Sequence, residues 1–227
     1  YAVITGRAKH NVAADLRGAL RPRKTVHRAA VLEPEKVGQL LRDIDAYEGY
    51  FPLVCALKLA PLVFTRPTEL RAAQWKEFDL EAGEWRIPAE RMKMRRQHLV
   101  PLSRQAMSIL RELQKCSGEG KYLFPSIRTE ARSISDATML NALRRMGYQK
   151  HEMSVHGFRS IASTLLNELG YNRDWIERQL AHGEQDEVRA AYNYAEYLPE
   201  RRKMMQAWAD YLDGLRNTQQ KRIREEA

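Results

Sequence analysis

The apolar positions change period three times along the chain, and each change predicts an element. From Glu33 and Pro34 onward Val37, Leu40, Leu41 and Ile44 recur at helical spacing, a proline at the first turn fitting a helix start. Phe51 to Val63 is apolar almost throughout, which predicts a helix buried on every side. A short helix is expected from Pro67 to Gln74. Three brief runs then read as strands, Trp75 to Leu80, Glu84 to Pro88 and His98 to Leu102, with Glu81-Ala82-Gly83 as a tight turn between the first two. The basic stretch Ala89 to Gln97 joins the second run to the third. Together they predict a small three-stranded antiparallel sheet.

The second half returns to helical spacing. Ala106, Ile109, Leu110 and Leu113 form one stripe, and Met139, Leu143 and Met146 another, behind a candidate cap at Ser135. Ser154 is placed to cap a helix that packs through Phe158, Ile161, Ala162, Leu165 and Leu169 and stops at Gly170; Asn172 is placed to cap the next, with Trp175, Ile176 and Leu180. Short helices are expected at Val188 to Ala195 and at Pro199 to Leu215. The stripe Met204, Met205, Trp208 and Leu212 reads as core packing, with docking on a neighbouring copy as the alternative. The fold class is therefore α+β and mainly helical.

Composition alters this picture in two ways. Of 227 residues, 44% are hydrophobic and 30% charged, which suits one globular core, and no apolar run approaches the roughly 18 residues that span a bilayer. Cys55 and Cys116 are the only cysteines, so neither a disulfide framework nor a paired-cysteine metal spacing is present, and a reducing cytoplasm is expected. The net charge of +9 is concentrated: residues 1 to 28 hold Arg7, Lys9, Arg17, Arg21, Arg23, Lys24 and Arg28 against Asp15 alone. That distribution favours a polyanionic partner, because each phosphate contact releases condensed counterions. The stretch 1–30 reads as an extended basic linker and 31–227 as the folded domain. Opening on Tyr1 rather than Met, the chain reads as a piece of a longer protein.

His156 and Arg159, three residues apart, share one helix face beside the apolar stripe and make it cationic. His182 ends a helix, and Tyr192, Tyr194 and Tyr197 follow it closely. Taken in order, the motifs resemble the tyrosine recombinases, or phage-type integrases, and their prophage integrase branch above all. Leu62-Val-Phe-Thr-Arg66-Pro-Thr-Glu69-Leu-Arg is similar to the family's first arginine block, and Arg91-Met-Lys93-Met-Arg-Arg to its hairpin lysine. Val155-His156-Gly-Phe-Arg159 resembles the His-x-x-Arg block. Gln179-Leu-Ala-His182-Gly, followed by Val188-Arg-Ala-Ala-Tyr192-Asn, resembles the block of the second histidine and the nucleophile. Thr68 departs from the glycine that many members carry.

The resemblance implies a site-specific recombinase that cleaves and rejoins double-stranded DNA through a 3′-phosphotyrosyl intermediate, without metal, cofactor or ATP. Tyr192 is implied as the nucleophile, Arg66 and Arg159 as clamps on the phosphate, and Lys93 as the acid that protonates the leaving 5′-oxygen. His156 and His182 are implied to hydrogen-bond the phosphate or move protons, with Glu69 orienting a neighbour. The residue types suit this chemistry: guanidiniums hold developing oxyanion charge through paired hydrogen bonds, and a covalent phosphotyrosine conserves bond energy for rejoining. No paired carboxylates or His/Cys set suggests a bound metal. Arg91, Arg95, Arg96, Arg21, Arg23 and Lys24 are expected to contact DNA. Implied partners are attachment-site duplexes, a homo-tetramer assembled on them, with a monomer one option for the DNA-free form, and directionality or DNA-bending helpers; no membrane is implied. Family members usually add an amino-terminal core-binding domain, so this chain alone is expected to bind DNA weakly and salt-sensitively.

Alternatives stay open at this level. Arg91 or Arg95 competes with Lys93, and Tyr194 and Tyr197 compete with Tyr192. Ile161 to Gly170 followed by Asn172 to His182 also has the form of a helix-turn-helix, which would make the protein a non-catalytic DNA binder. A topoisomerase using the same tyrosine chemistry is the other alternative.

Overall fold

The computed structural model describes residues 1–12, 14, 29–182 and 197–225. Eight α-helices and five strands are found among them: α1 Pro34–Ala46, α2 Phe51–Val63, α3 Pro67–Arg71, β1 Phe78–Asp79, β2 Glu84–Ile87, β3 His98–Pro101, α4 Arg104–Ser117, β4 Pro125–Ser126, β5 Thr129–Ser133, α5 Asp136–Arg145, α6 Gly157–Glu168, α7 Arg173–Gln179 and α8 Leu198–Glu225.

The almost wholly apolar α2 lies at the centre, touching α1, α3, α4, α5, α6 and α8. Burial on nearly every side is what so apolar a helix requires: Leu53, Ala56, Leu57, Leu59, Ala60 and Val63 are all buried, and its one charge, Lys58, pairs with Asp45. Its carboxyl end is built with care. Phe64 takes a left-handed conformation, φ +36°, and caps the helix through its N–H to the Ala60 carbonyl. The carbonyl of Pro61, one of those that a helix end leaves without an internal partner, accepts the Trp208 indole N–H from α8 at 2.9 Å. Phe64 and Trp208 meet edge to face at 6.3 Å, so the turn leading into Arg66 is pinned by α8.

The sheet runs β1-β2-β3, antiparallel throughout, with Trp85 opposite Phe78 and Val100, and Ile87 opposite His98. Trp85, Ile87 and Val100 face the core, while Arg86 faces out, the alternation expected of a sheet with one wet face. The three predicted strands are thus present, except that the first begins later. Trp75–Glu77 is a 3-10 turn, because Gln74 forms an isolated bridge with Tyr122, and Trp75 gives its N–H to Lys121 and its indole N–H to the Ser117 carbonyl. The same bridge ends α3 at Arg71, short of Gln74.

Other boundaries move for equally local reasons. α6 starts at Gly157, because the Ser154 hydroxyl accepts the Gly157 N–H and donates to the Ala29 carbonyl, stapling the entering chain to the helix start. α8 runs beyond Leu215 to Glu225, and its stripe Met204, Met205, Trp208 and Leu212 is buried in the core of this same chain. The hairpin β4-β5 was not anticipated. At the amino end, residues 2–6 form hydrogen-bonded turns where an extended stretch was expected. The expected helix at Val188 to Ala195 lies outside the described residues. No helix among the described residues is long and apolar enough to cross a membrane.

Candidate active site

The site grows from the end of α2. After left-handed Phe64 the chain enters α3, with Arg66 at its N-cap and Pro67 at its first position. Glu69, at the third position, is buried and turns back: one oxygen accepts the Arg66 N–H at 2.9 Å, the other the Arg66 guanidinium at 2.8 Å. Glu69 thereby serves both the helix start and the side chain, and α3 forms with Thr68 in it. The second Nη of Arg66 donates to the Ala181 carbonyl at 2.9 Å.

Arg159 approaches the same turn from α6. It is 4% exposed, so it lies within the buried face of its helix and not beside it as helical spacing suggested. Its guanidinium donates to the Phe64 carbonyl at 2.9 Å, to the Leu180 carbonyl at 2.8 Å and to His182 Nε2 at 3.1 Å, while its buried Nε–H has no acceptor among the described residues. Burial, reinforced by Arg66 nearby, lowers its pKa to about 10, against the opposing pull of Glu69 and Glu177, so it remains cationic at neutral pH.

Two arginines remote in sequence therefore anchor on consecutive carbonyls, Leu180 and Ala181, of the turn that ends α7. His182 follows directly. Its Nδ1 lies 2.7 Å from the Glu177 carboxylate. Arginine can only donate, so Nε2 accepts from Arg159 and Nδ1–H points to Glu177; one tautomer is fixed by its two neighbours. His156 sits half-buried at the N-cap of α6, three residues before Arg159.

Lys93 lies on the loop between β2 and β3 and is exposed, as are Met94, Arg95 and Arg96. The loop is tethered by buried Met92 and by a turn in which the Arg95 N–H, at φ +50°, reaches the Met92 carbonyl. Arg91 behaves differently from its basic neighbours. Its guanidinium points inward, pairing with the buried Glu77 carboxylate and donating to the Glu69 carbonyl at 2.5 Å. Glu77 also accepts the Trp85 indole N–H at 3.0 Å. Arg91 thus ties the lysine loop to the helix that carries Arg66 and Glu69.

Tyr192 and Tyr194 lie outside the described residues, as do Arg21, Arg23 and Lys24; Tyr197, half-buried and left-handed at φ +46°, immediately precedes α8. Sequence reasoning missed Glu177, Glu77, His98 and Arg201. Arg201 did leave a signal: it falls in the stripe of Met204, Met205, Trp208 and Leu212, a lone cation at a core position. No group of three or more His, Cys, Asp or Glu side chains that could hold a metal ion is found among the described residues.

Two arginines and a carboxylate-oriented histidine at one turn, tied through Arg91 to the loop of Lys93, form a cationic centre of the class that can hold an anion. The comparisons give the class a family. Residues 30–198 match the model of the phage integrase family, and the chain belongs to it. It is 44% identical over 232 residues to the integrase of Enterobacteria phage P4, covering 96% of this chain and 53% of that protein. It is 43% identical over 179 residues to the prophage integrase IntA of Escherichia coli, covering 79% of this chain and 43% of that one. The chain spans about half the length of the curated relatives it matches. Among solved structures, a lambda integrase tetramer bound to a Holliday junction aligns with a TM-score of 0.59 at 18% identity, covering 82% of this chain and 55% of that one. XerA recombinase aligns with a TM-score of 0.56 at 15% identity, covering 88% and 80%. The helical α+β fold expected from the sequence, with its small antiparallel sheet, is the fold these recombinases share.

Proposed function

We propose that the protein is a site-specific DNA recombinase that cuts and rejoins strands through a 3′-phosphotyrosyl link to Tyr192. The observation that carries this reading is the convergence of Arg66, Arg159 and His182 on the turn at 180–182, in a chain of the phage integrase family. In the reaction the Tyr192 oxygen bonds to phosphorus, and the bond from phosphorus to the 5′-oxygen breaks. Arg66 and Arg159 hold the non-bridging oxygens. Lys93 protonates the departing 5′-oxygen. His156 and His182 bind the phosphate or carry the phenolic proton away, and the reverse sequence reseals a strand without ATP.

Glu69 and Arg91 orient these groups, while Arg95 and Arg96, with Arg21, Arg23 and Lys24, contact the DNA backbone. The reaction requires no metal. The working assembly is a homo-tetramer on two attachment-site duplexes in the bacterial cytoplasm, with directionality or bending proteins as helpers. The lambda integrase tetramer on a Holliday junction supports that assembly by analogy of fold.

The test is a nicked suicide duplex taken from the junctions between the encoding DNA element and its host chromosome. Wild-type protein is expected to form a denaturant-resistant adduct whose linked peptide contains Tyr192, and Tyr192→Phe to bind without linking. DNA binding with no adduct would favour the helix-turn-helix reading, relaxation of plasmid without a defined site a topoisomerase, and linkage through Tyr194 or Tyr197 another nucleophile.

A further inference from the structure

Behind the two arginines lies a second polar layer, buried more deeply. Gln179, the last residue of α7, is fully buried. Its side-chain oxygen accepts two bonds from Arg201 of α8, from Nε at 3.1 Å and from Nη2 at 2.7 Å. Arg201 is also fully buried, and its Nη2 reaches the Leu99 carbonyl of β3 at 2.5 Å. Beside it, the Gln179 carbonyl lies 3.1 Å from Nε2 of buried His98, also on β3. Burial and the nearby Arg201 lower the His98 pKa to about 3, so the ring is neutral and donates that Nε2 proton to the carbonyl.

This layer joins three elements at meaningful places. β3 closes the hairpin that carries Lys93; α7 ends at the Leu180 and Ala181 carbonyls on which Arg159 and Arg66 anchor; α8 begins at the far end of the segment that contains Tyr192. Full desolvation of a guanidinium is costly, and a methionine or leucine at position 201 would continue the stripe of Met204, Met205 and Trp208 without that cost. A planar donor fork can fix a side-chain amide and a strand carbonyl at once, which an apolar side chain cannot do. We propose that Arg201, through Gln179 and with His98 alongside, is a positioning residue for strand cleavage: it holds the turn at 180–182 in register with the lysine hairpin. The inference rests on the recombinase reading above and adds residues to it.

Arg201→Lys keeps the charge and loses the fork. Gln179→Leu removes the acceptor, whereas Gln179→Glu keeps it and replaces the Nε2 group that has no partner among the described residues. At saturating junction DNA, Arg201→Lys and Gln179→Leu are expected to slow single-turnover adduct formation about tenfold or more, with the DNA concentration at half-saturation unchanged. Gln179→Glu should stay close to wild type, and the double variant Arg201→Lys, Gln179→Leu should be no slower than the worse single one. Losses that multiply, single-variant rates within twofold of wild type, or rates that merely follow falling urea midpoints would overturn the proposal.

Amide hydrogen exchange supplies a readout independent of activity. The amides of Leu180, Ala181 and His182, which bond to Ile176, Arg178 and Glu177, should exchange faster in Arg201→Lys while those of α2 do not change. Unchanged exchange at 180–182 would also sink the idea. Wild-type protein that forms no adduct on any junction duplex would count against the recombinase reading, and exchange would still decide the brace.

Discussion

Arg159 donates to His182 Nε2 at 3.1 Å while the opposite ring nitrogen faces Glu177 at 2.7 Å, so the histidine is held between a donor and an acceptor. A ring held in this way has one tautomer and one orientation. Glu177→Ala removes the acceptor and should slow adduct formation about tenfold, the scale of one lost charge-assisted hydrogen bond. Glu177→Gln retains an oxygen for Nδ1–H and should keep most of the rate. The check is single-turnover cleavage of nicked duplex at saturating DNA; equal losses in both variants would refute the tautomer argument.

Arg66 and Arg159 should separate activity from stability. Arg159 is a buried hub whose three acceptors come from two other parts of the chain, so Arg159→Met should cost about 3 kcal/mol in urea unfolding as well as abolish the adduct. Arg66 is more open, and lysine in its place can still pair with Glu69. Arg66→Lys should therefore unfold within about 1 kcal/mol of wild type yet lose adduct formation by about a hundredfold, since a point charge cannot reproduce the two-pronged hold on a phosphate.

The contrast between these two arginines marks what was legible in the sequence. Phe51 to Val63 could be read as a buried helix because Lys58 alone interrupts its apolar run, and the motif order singled out Arg66, Arg159 and His182, which the fold brings to one turn. Periodicity could not show that Arg159 is buried, because its acceptors Phe64 and Leu180 are far off in the chain and no local pattern reports them. For the same reason Arg91 read as one more cation of a basic loop, although Glu77, fourteen residues earlier, draws it inward. The β4-β5 hairpin escaped notice because Thr129 to Arg132 is exposed on both faces and has no apolar alternation to betray a strand.

Gly38 sets the closeness of α1 and α8. A Cβ there would stand 2.5 Å from the Leu215 carbonyl oxygen, which also lies near the Arg42 guanidinium. Alanine normally favours a helix over glycine by about 1 kcal/mol, but here it must push backbone away. The clash should win, and Gly38→Ala should lower stability by about 1 to 3 kcal/mol in urea titration. A raised midpoint would show that α8 can shift freely.

His98 should make the acid limb of stability steeper. Its pKa is about 3 in the folded protein, held down first by burial and then by Arg201, against about 6.5 in an unfolded chain. Between those values the unfolded state binds the proton and the folded state does not, so this contribution is present above about pH 6.5 and is lost as pH falls toward 3. From pH 7 to pH 5 the loss from this one residue should be about 2 kcal/mol. Gln in its place can still donate an amide proton to the Gln179 carbonyl but does not titrate. Urea unfolding at the two pH values should therefore show a drop in the wild type that is about 2 kcal/mol larger than in His98→Gln. Equal drops in the two proteins would mean that His98 takes up its proton in place, and that the buried layer around Gln179 opens at mild acid without unfolding.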